Sequence, residues 1–410
     1  MALRRLAIHA SPAFQYPAAR TLARRARAAL VTQRWLLVPL AVAAGSRVVV
    51  LLVGYLSESV LPDNPRFLRA TYSTHRFLDV WYEWDASWYS AVAVNGYQPT
   101  GPTAPGVAFW PLLPVLEWTL SRWLQWPLFG LALTEAIAWA GILLVSLAFV
   151  VSCALLYRLV LEDYSPDVAR RTVTFLAFAP GAVYYTAPYP AALLLVGVVG
   201  CLWALRRERW VLAGMAGCWA AVAQVPGCLL VFPFAWEYLR RRRGHIGFSA
   251  LSILLVPLGP ALWLSYLWTL TGDPLAPVTV ATTHWPHQVA WPWETLAHHA
   301  LIVLVKPNRY ALDWVNLGMT LGVLAASVWA LRAGQASWGI WGLAVLVLYL
   351  SVPASEPFEG FVRYLLPVTP TWLLLAHLAR HPLVEGILLG LLAALLGLLT
   401  AFYVNGFWVA

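Results

Sequence analysis

The acidic residue Asp85 lies within an aromatic segment of the sequence, EWDASWYSAVAVNGY (83–97). Asp85 has Trp84, Trp88 and Tyr89 as its aromatic neighbours there. A carboxylate in this setting can act as a general base and take the proton of an attacking hydroxyl group. A single loop aspartate more often caps a helix. The spacing is compatible with both roles, and by itself it favours the cap.

The other residue patterns that could indicate a catalytic, metal-binding or nucleotide-binding site are weak. Glu83 is two residues before Asp85, so the two carboxylates would diverge on a helix and do not form a glycosidase pair. His284 and His287 lie in a Trp-Pro-rich stretch without a nearby acid, so no metal site is predicted. The sequence has no P-loop, GxGxxG or Ser/His/Asp pattern. No cofactor is therefore predicted.

The composition is that of a membrane protein. Of 410 residues, 61% are hydrophobic and 11% are charged, and the apolar residues come in blocks long enough for helices that cross a bilayer. The formal charge of +9 comes from short Arg clusters between these blocks. This placement indicates cytoplasmic anchoring, and it argues against nucleic acid as a partner. The expected fold is an all-α polytopic bundle in contact with membrane lipids.

The positions of the basic residues predict the topology. Residues 1–34 form a basic arm that should stay in the cytoplasm, and 35–410 form one membrane domain. Two long non-cytoplasmic loops are expected at about 57–126 and 271–311, and the first should carry amphipathic helices that lie along the membrane. About eleven spans are expected, near 35–56, 127–156, 172–187, 191–205, 210–239 (a hairpin broken at 224–227), 246–270, 312–331, 337–354, 362–379 and 383–404.

Three cations fall on the non-cytoplasmic side of this topology, where positive charge is unusual. They are Lys306, Arg309 and Arg363. Binding of a lipid-linked phosphate would explain them, since Arg and Lys are the usual partners of phosphate. Interaction of their side chains with lipid headgroups would explain them equally well.

The sequence resembles a known family in several blocks. WDASWYSAVAVNGY (84–97) and AFWPLLPVLEWTL (108–120) are similar to the WDxxWYxxIAxxGY…FFPLYPLL pattern of PIG-V type mannosyltransferases. FLAFAPGAVYYTAPYP (175–190), residues 210–242 and RYLLPVTPTWLLLA (363–376) resemble further blocks of that family, in the same order.

The resemblance implies a GT-C fold and a polyprenyl-phosphate sugar donor. It implies that Asp85 is the catalytic base of an inverting single displacement. It also implies that substrate-binding positions include Trp84, Trp88, Tyr89, Tyr97, Arg363 and Tyr364. Lys306 and Arg309 are added to this set because of their charge and predicted position, and either could substitute for a cation that the family pattern has and this chain lacks. The expected localisation is the inner membrane of a bacterial cell, with the active site on the outer face.

Two positions depart from the family pattern. Ala191 stands where the family has Glu, and Gln224 stands where it has Arg. The leading hypothesis is transfer of a sugar, expected to be mannose, to a hydroxyl of a lipid, glycan or protein acceptor. The two losses leave an alternative open, a catalytically weakened relative that binds lipid-linked glycans or assists assembly. A transporter is a third hypothesis, motivated by the break at Pro226-Gly227.

Overall fold

The computed structural model describes residues 34–66, 71–73, 76–126, 130–285, 287–307, 311–354, 356 and 358–409. The basic arm at 1–33 and Arg309 therefore lie outside the described residues. Within these ranges the chain is helical, and β-structure is limited to one isolated bridge between His287 and Ala354. The α-helices are α1 Arg34–Val60, α2 Arg76–Asp79, α3 Asp85–Asn95, α4 Leu112–Leu124, α5 Leu133–Val160, α6 Pro166–Ala177, α7 Ala191–Arg206, α8 Trp210–Ala223, α9 Val231–Arg241, α10 Leu255–Thr271, α11 Ala276–His284, α12 Pro292–Val305, α13 Ala311–Arg332, α14 Ala336–Ser351, α15 Phe361–Tyr364, α16 Thr369–Leu378 and α17 Pro382–Val404. Short 3₁₀ helices occupy Ala104–Ala108, Ala182–Tyr185, Val225–Leu230 and Phe248–Leu254.

Five helices in the described part of the chain are long and apolar enough to cross a membrane. They are Trp35–Val60, Leu133–Val160, Phe248–Thr271, Leu312–Arg332 and Pro382–Val404. Three further apolar helices, α7, α8 and α14, are shorter, with 14 to 16 residues. An all-helical membrane protein is thus confirmed, whereas the number of about eleven spans remains a prediction.

Helices α7 and α8 pack closely against each other around small residues. A Cβ on Gly197 would meet Ala220, and one on Gly200 would touch Ala216, so the two helices run antiparallel in close contact. The Trp219 indole N–H donates to the Leu193 carbonyl at 2.9 Å. Helix α8 ends at Ala223, and the 3₁₀ turn that follows confirms the predicted break at 224–227.

Several predicted segments differ from the structure. The second long loop, predicted at 271–311, contains two helices, α11 and α12. The crossing predicted at 172–187 is the 12-residue helix α6, which ends at Ala177. The crossing predicted at 362–379 is interrupted between α15 and α16. Prolines explain these ends, because Pro180, Pro367 and Pro370 disfavour α-helix in the residues before them.

Helix α4 lies within the first long segment between spans and packs along α5. Its buried residues, Leu113, Glu117 and Ser121, recur every four positions and therefore face one side. Glu117 is fully buried, and neither of its carboxylate oxygens has a hydrogen-bond partner. Its Oε1 lies beside Gly141, so a Cβ added to this glycine would meet both the Glu117 carboxylate and the Tyr82 hydroxyl. Burial raises the pKa of Glu117 well above its ordinary value.

This raised pKa predicts a pH-dependent effect of Glu117→Gln on stability. The folded state keeps a proton that the unfolded chain loses above its pKa of about 4.3. The stability from this group is therefore complete below that pH and is lost as the pH rises toward the folded pKa, by about 1.4 kcal/mol per pH unit. Gln does not titrate, so we expect the variant to gain thermal stability relative to the parent between about pH 5 and about pH 8.

Thermal unfolding in detergent across this pH range measures the effect. Glu294→Gln is the matched control, because Glu294 is exposed at the start of α12. A difference between the Glu117→Gln protein and the parent that does not change with pH would contradict the prediction.

Candidate active site

The backbone is strained on both sides of the site. Trp84 has φ 56° and ψ −126° immediately before α3, and Phe358 has φ 52° shortly before α15. They are two of the four non-glycine residues with positive φ in the described ranges. Such conformations cost about 1–3 kcal/mol each and are common at functional sites. Asp85 follows Trp84 as the first residue of its helix, and its side chain does not cap the helix.

Asp85 forms an ion pair with Arg363. The Arg363 Nη1 donates to the Asp85 Oδ2 at 2.6 Å, although the two residues are 278 positions apart. The Arg363 side chain is 8% exposed and that of Asp85 is 24% exposed. Arg363 Nη2 also donates to the Tyr364 hydroxyl at 2.7 Å. The base candidate thus lies beside a buried cation, with part of its carboxylate open.

Four aromatic rings surround the Arg363 guanidinium. Its carbon lies 4.6 Å from the ring centroid of Tyr364, 5.3 Å from Tyr189, 5.8 Å from Tyr184 and 5.9 Å from Trp408. Cations are attracted to the faces of such rings, most strongly where water is excluded. These contacts and the Asp85 carboxylate stabilise a charge that would otherwise be costly to bury.

Tyr189 connects this cage to the start of α3. Its hydroxyl oxygen accepts from the Asp85 backbone N–H at 3.1 Å, and its O–H donates to the Glu83 carbonyl at 3.2 Å. The Tyr403 hydroxyl donates to the same carbonyl at 3.1 Å. Two phenols from distant parts of the chain therefore fix the backbone that presents Asp85.

The other predicted aromatic positions form a wall beside the ion pair. Trp84 packs edge-on against Trp408 with ring centroids 4.9 Å apart. Trp88 and Tyr89 pack against Phe109, with centroids 6.0 and 5.0 Å apart. Trp84 therefore packs on a ring that borders the Arg363 guanidinium, whereas Trp88 and Tyr89 pack on Phe109.

The remaining predicted positions lie elsewhere. Tyr97 donates its hydroxyl to the Phe109 carbonyl at 2.7 Å, and its ring packs near Trp263. It therefore supports the loop after α3 and has no described contact with the ion pair. Lys306 follows α12 with an exposed side chain, and no described contact joins it to Asp85 or Arg363.

Sequence reasoning missed four residues of the candidate site, Tyr184, Tyr189, Glu359 and Trp408. Glu359 has a raised pKa because it is partly buried and close to Glu356, while His287, Arg363 and a hydrogen bond with Trp408 oppose the shift. Tyr184 and Tyr189 fall inside the block 175–190 that resembles the family, and this was the available signal. For Glu359 the sequence signal was weaker, namely its position four residues before Arg363.

The structure also places the two positions that depart from the family pattern. Ala191 begins α7 and is buried, and Gln224 follows the end of α8 and is half-buried. Since α7 and α8 run antiparallel, with Leu193 beside Trp219, both positions lie at the same end of the pair. The two positions that were predicted to depart from the family pattern therefore lie near each other.

Comparisons with known proteins give one family and one solved fold. Residues 49–249 match the family model described as Mannosyltransferase (PIG-V). The chain is similar to the apo crystal structure of the Archaeoglobus fulgidus oligosaccharyltransferase, with 13% identity and a TM-score of 0.45, over 90% of this chain and 56% of that one. For the complex of that protein with Zn and sulfate, the identity is 13% and the TM-score 0.42, over 88% and 53%. This chain spans little more than half of that protein's length. None of the curated proteins matches the sequence.

The family match covers the segment that carries the site's central carboxylate. It includes α3 with Asp85, the tyrosines Tyr184 and Tyr189, and the α7–α8 pair. The resemblance is thereby confirmed for the motifs that lie within residues 49–249, the part of the chain that matches the family model described as Mannosyltransferase (PIG-V).

Proposed function

We propose that this chain is an integral-membrane glycosyltransferase that moves a sugar, with mannose the expected one, from a polyprenyl phosphate to a hydroxyl group. The acceptor is a lipid, a glycan or a protein. The observation that carries the proposal is the ion pair between Asp85 and the buried Arg363. Asp85 lies in the part of the chain that matches a mannosyltransferase family model. A base and a phosphate partner side by side are what this transfer requires.

The proposed reaction is a single displacement with inversion. The acceptor O–H bond breaks and its proton goes to Asp85, while the acceptor oxygen bonds to the anomeric carbon. The bond from that carbon to the donor phosphate breaks, and its electron pair leaves on the phosphate. Arg363 stabilises the charge that develops on this phosphate, in surroundings from which the aromatic rings exclude water.

The membrane topology is part of the proposal. A GT-C type bundle of about eleven spans would put the 57–126 and 271–311 segments on the non-cytoplasmic face. Contacts between these segments support this: Trp88 packs against Trp285 with centroids 6.2 Å apart, and the 3₁₀ turn Ala104–Ala108 packs on α11.

The opposite end of the bundle also fits this topology. The segments predicted to be cytoplasmic are joined there by ion pairs, from Arg207 to Glu162 at 2.5 Å and from Arg170 to Glu385 at 2.8 Å. Arg206 also pairs with Asp163 at that end. These contacts support a separation of the bundle into one charged end and one end with the candidate site.

The test is a transfer assay with the purified chain in liposomes. Radiolabelled polyprenyl-phosphate mannose is the donor, and lipid, oligosaccharide and peptide alcohols are offered separately. We expect label in one acceptor class and release of polyprenyl phosphate in equal amount. Absence of both transfer and donor breakdown with every acceptor would contradict the proposal.

A catalytically weakened relative is the second candidate, because both altered positions lie at the same end of α7 and α8. We expect Ala191→Glu alone to destabilise the protein by about 3–5 kcal/mol, as an unpaired buried charge does. Adding Gln224→Arg should recover much of this loss, since the two side chains would be neighbours. Transfer by the double variant should not exceed that of the parent.

Thermal unfolding of the parent, both single variants and the double variant measures the coupling between the positions. Additive losses would contradict the predicted proximity. A double variant that transfers sugar at least ten times faster than the parent would favour the weakened relative over an efficient enzyme.

A further inference from the structure

Arg47 is a buried cation in the first helix that is long enough to span a membrane. It lies near the middle of Trp35–Val60 and is 7% exposed. Ionisable side chains inside membrane spans are costly and usually functional. The family motifs and the sequence patterns assign no role to this residue.

The long-range hydrogen bonds of Arg47 all go to one segment, 177–186. Its Nη1 donates to the Ala182 carbonyl at 2.7 Å and to the Thr186 hydroxyl at 2.8 Å. Its Nη2 donates to the Ala177 carbonyl at 3.2 Å. The guanidinium also lies over the Phe149 ring, 4.6 Å from its centroid.

This segment needs such a donor because it leaves the helical ladder. Helix α6 ends at Ala177, and the chain then makes a short 3₁₀ turn before α7 begins at Ala191. Carbonyl groups at a helix end have no partner within the helix, and a buried one without a partner is costly. From a neighbouring helix, Arg47 donates to the last carbonyl of α6, that of Ala177, and to the Ala182 carbonyl at the start of the 3₁₀ turn.

The same segment supplies part of the candidate active site. Tyr184 and Tyr189 flank the Arg363 guanidinium. Tyr189 also accepts from the Asp85 backbone N–H. A shift of this segment would therefore move both partners of the ion pair.

We propose that Arg47 is a positioning residue, which fixes the segment 177–190 so that Tyr189 holds Asp85 and Arg363 in register. Its fork of donors serves three acceptors at once, which the single ammonium of Lys cannot reproduce. The catalytic part of this inference rests on the proposed function, and the structural part does not.

Hydrogen–deuterium exchange of the purified full chain tests the structural part. In Arg47→Gln we expect the amides of 179–190 and of Asp85 to exchange at least ten times faster than in the parent. Arg47→Lys should show a smaller increase, and it keeps the test open if the Gln variant does not fold. Arg158→Gln is the control, because Arg158 is an exposed arginine over the Trp35 ring. Unchanged exchange at 179–190 in both Arg47 variants would overturn the proposal.

Transfer kinetics test the catalytic part. We expect Arg47→Lys to lower kcat by 10- to 100-fold with little change in the donor KM. In a Tyr189→Phe background the same substitution should have a much smaller effect, because it would act through a contact already removed. Additive losses would overturn the link to Tyr189. If exchange responds as expected but the parent transfers no sugar, the proposed function fails and the structural role of Arg47 stands.

Discussion

Asp85→Asn is expected to lower the rate of sugar transfer by about 10²- to 10⁴-fold, the usual contribution of a general base. The Asn side chain has the same shape, and its amide oxygen can still accept from Arg363 Nη1. The backbone N–H that donates to Tyr189 is unchanged. The variant should therefore fold and bind donor normally, and the loss should fall on kcat.

Single-turnover transfer from radiolabelled donor at saturating acceptor measures this loss. Glu294→Gln is the matched control, because it removes an exposed carboxylate at the start of α12. Its rate should stay within about twofold of the parent, as expected for a surface group. An Asp85→Asn protein that keeps a third or more of the parental rate would show that Asp85 is not the base.

Long apolar runs made much of the helical framework predictable. The helices Trp35–Val60, Leu312–Arg332 and Pro382–Val404 agree with predicted crossings because uninterrupted apolar sequence specifies a span by its length. The short helix that carries Asp85 ends at Asn95, and Gly96 follows it. That glycine has φ 69°, a conformation favourable only for residues without a side chain.

Short helices were predicted poorly because their ends depend on tertiary contacts. The segments of α11 and α12 contain enough Trp and Pro to look like an irregular loop, yet Pro277 and Pro292 lie in the first turns of these helices. Proline is well tolerated there, since the first N–H groups of a helix have no partner. The pattern could thus have been interpreted as two helix starts.

The contacts within the candidate active site could not be predicted from the sequence pattern, for a different reason. Asp85 and Arg363 were both singled out, but periodicity gives no distance between residues 278 positions apart. Tyr189 and Arg47 lie in apolar stretches where a sequence suggests only core packing. Their roles depend on which carbonyl or amide faces them in the fold, and local sequence does not encode this directly.

Arg363→Gln is expected to reduce transfer by about 10²- to 10³-fold, as removal of a group that stabilises developing charge does. It should also weaken donor binding, which Asp85→Asn should not. Polyprenyl phosphate without sugar separates the two effects: its inhibition of the residual activity should weaken at least tenfold in Arg363→Gln and stay unchanged in Asp85→Asn. Arg363→Lys should lie between the parent and the Gln variant, since it keeps the charge but loses the fork that contacts Asp85 and Tyr364.

Arg122→Gln is the control for the loss of one positive charge in this region. Arg122 is exposed on α4, where its guanidinium lies 5.0 Å from the Trp118 ring centroid. Inhibition by polyprenyl phosphate should be the same in this variant as in the parent. Equal inhibition of the parent and Arg363→Gln would instead mean that Arg363 only orients Asp85. The donor phosphate would then need another cation, and Lys306 would be the first described residue to test.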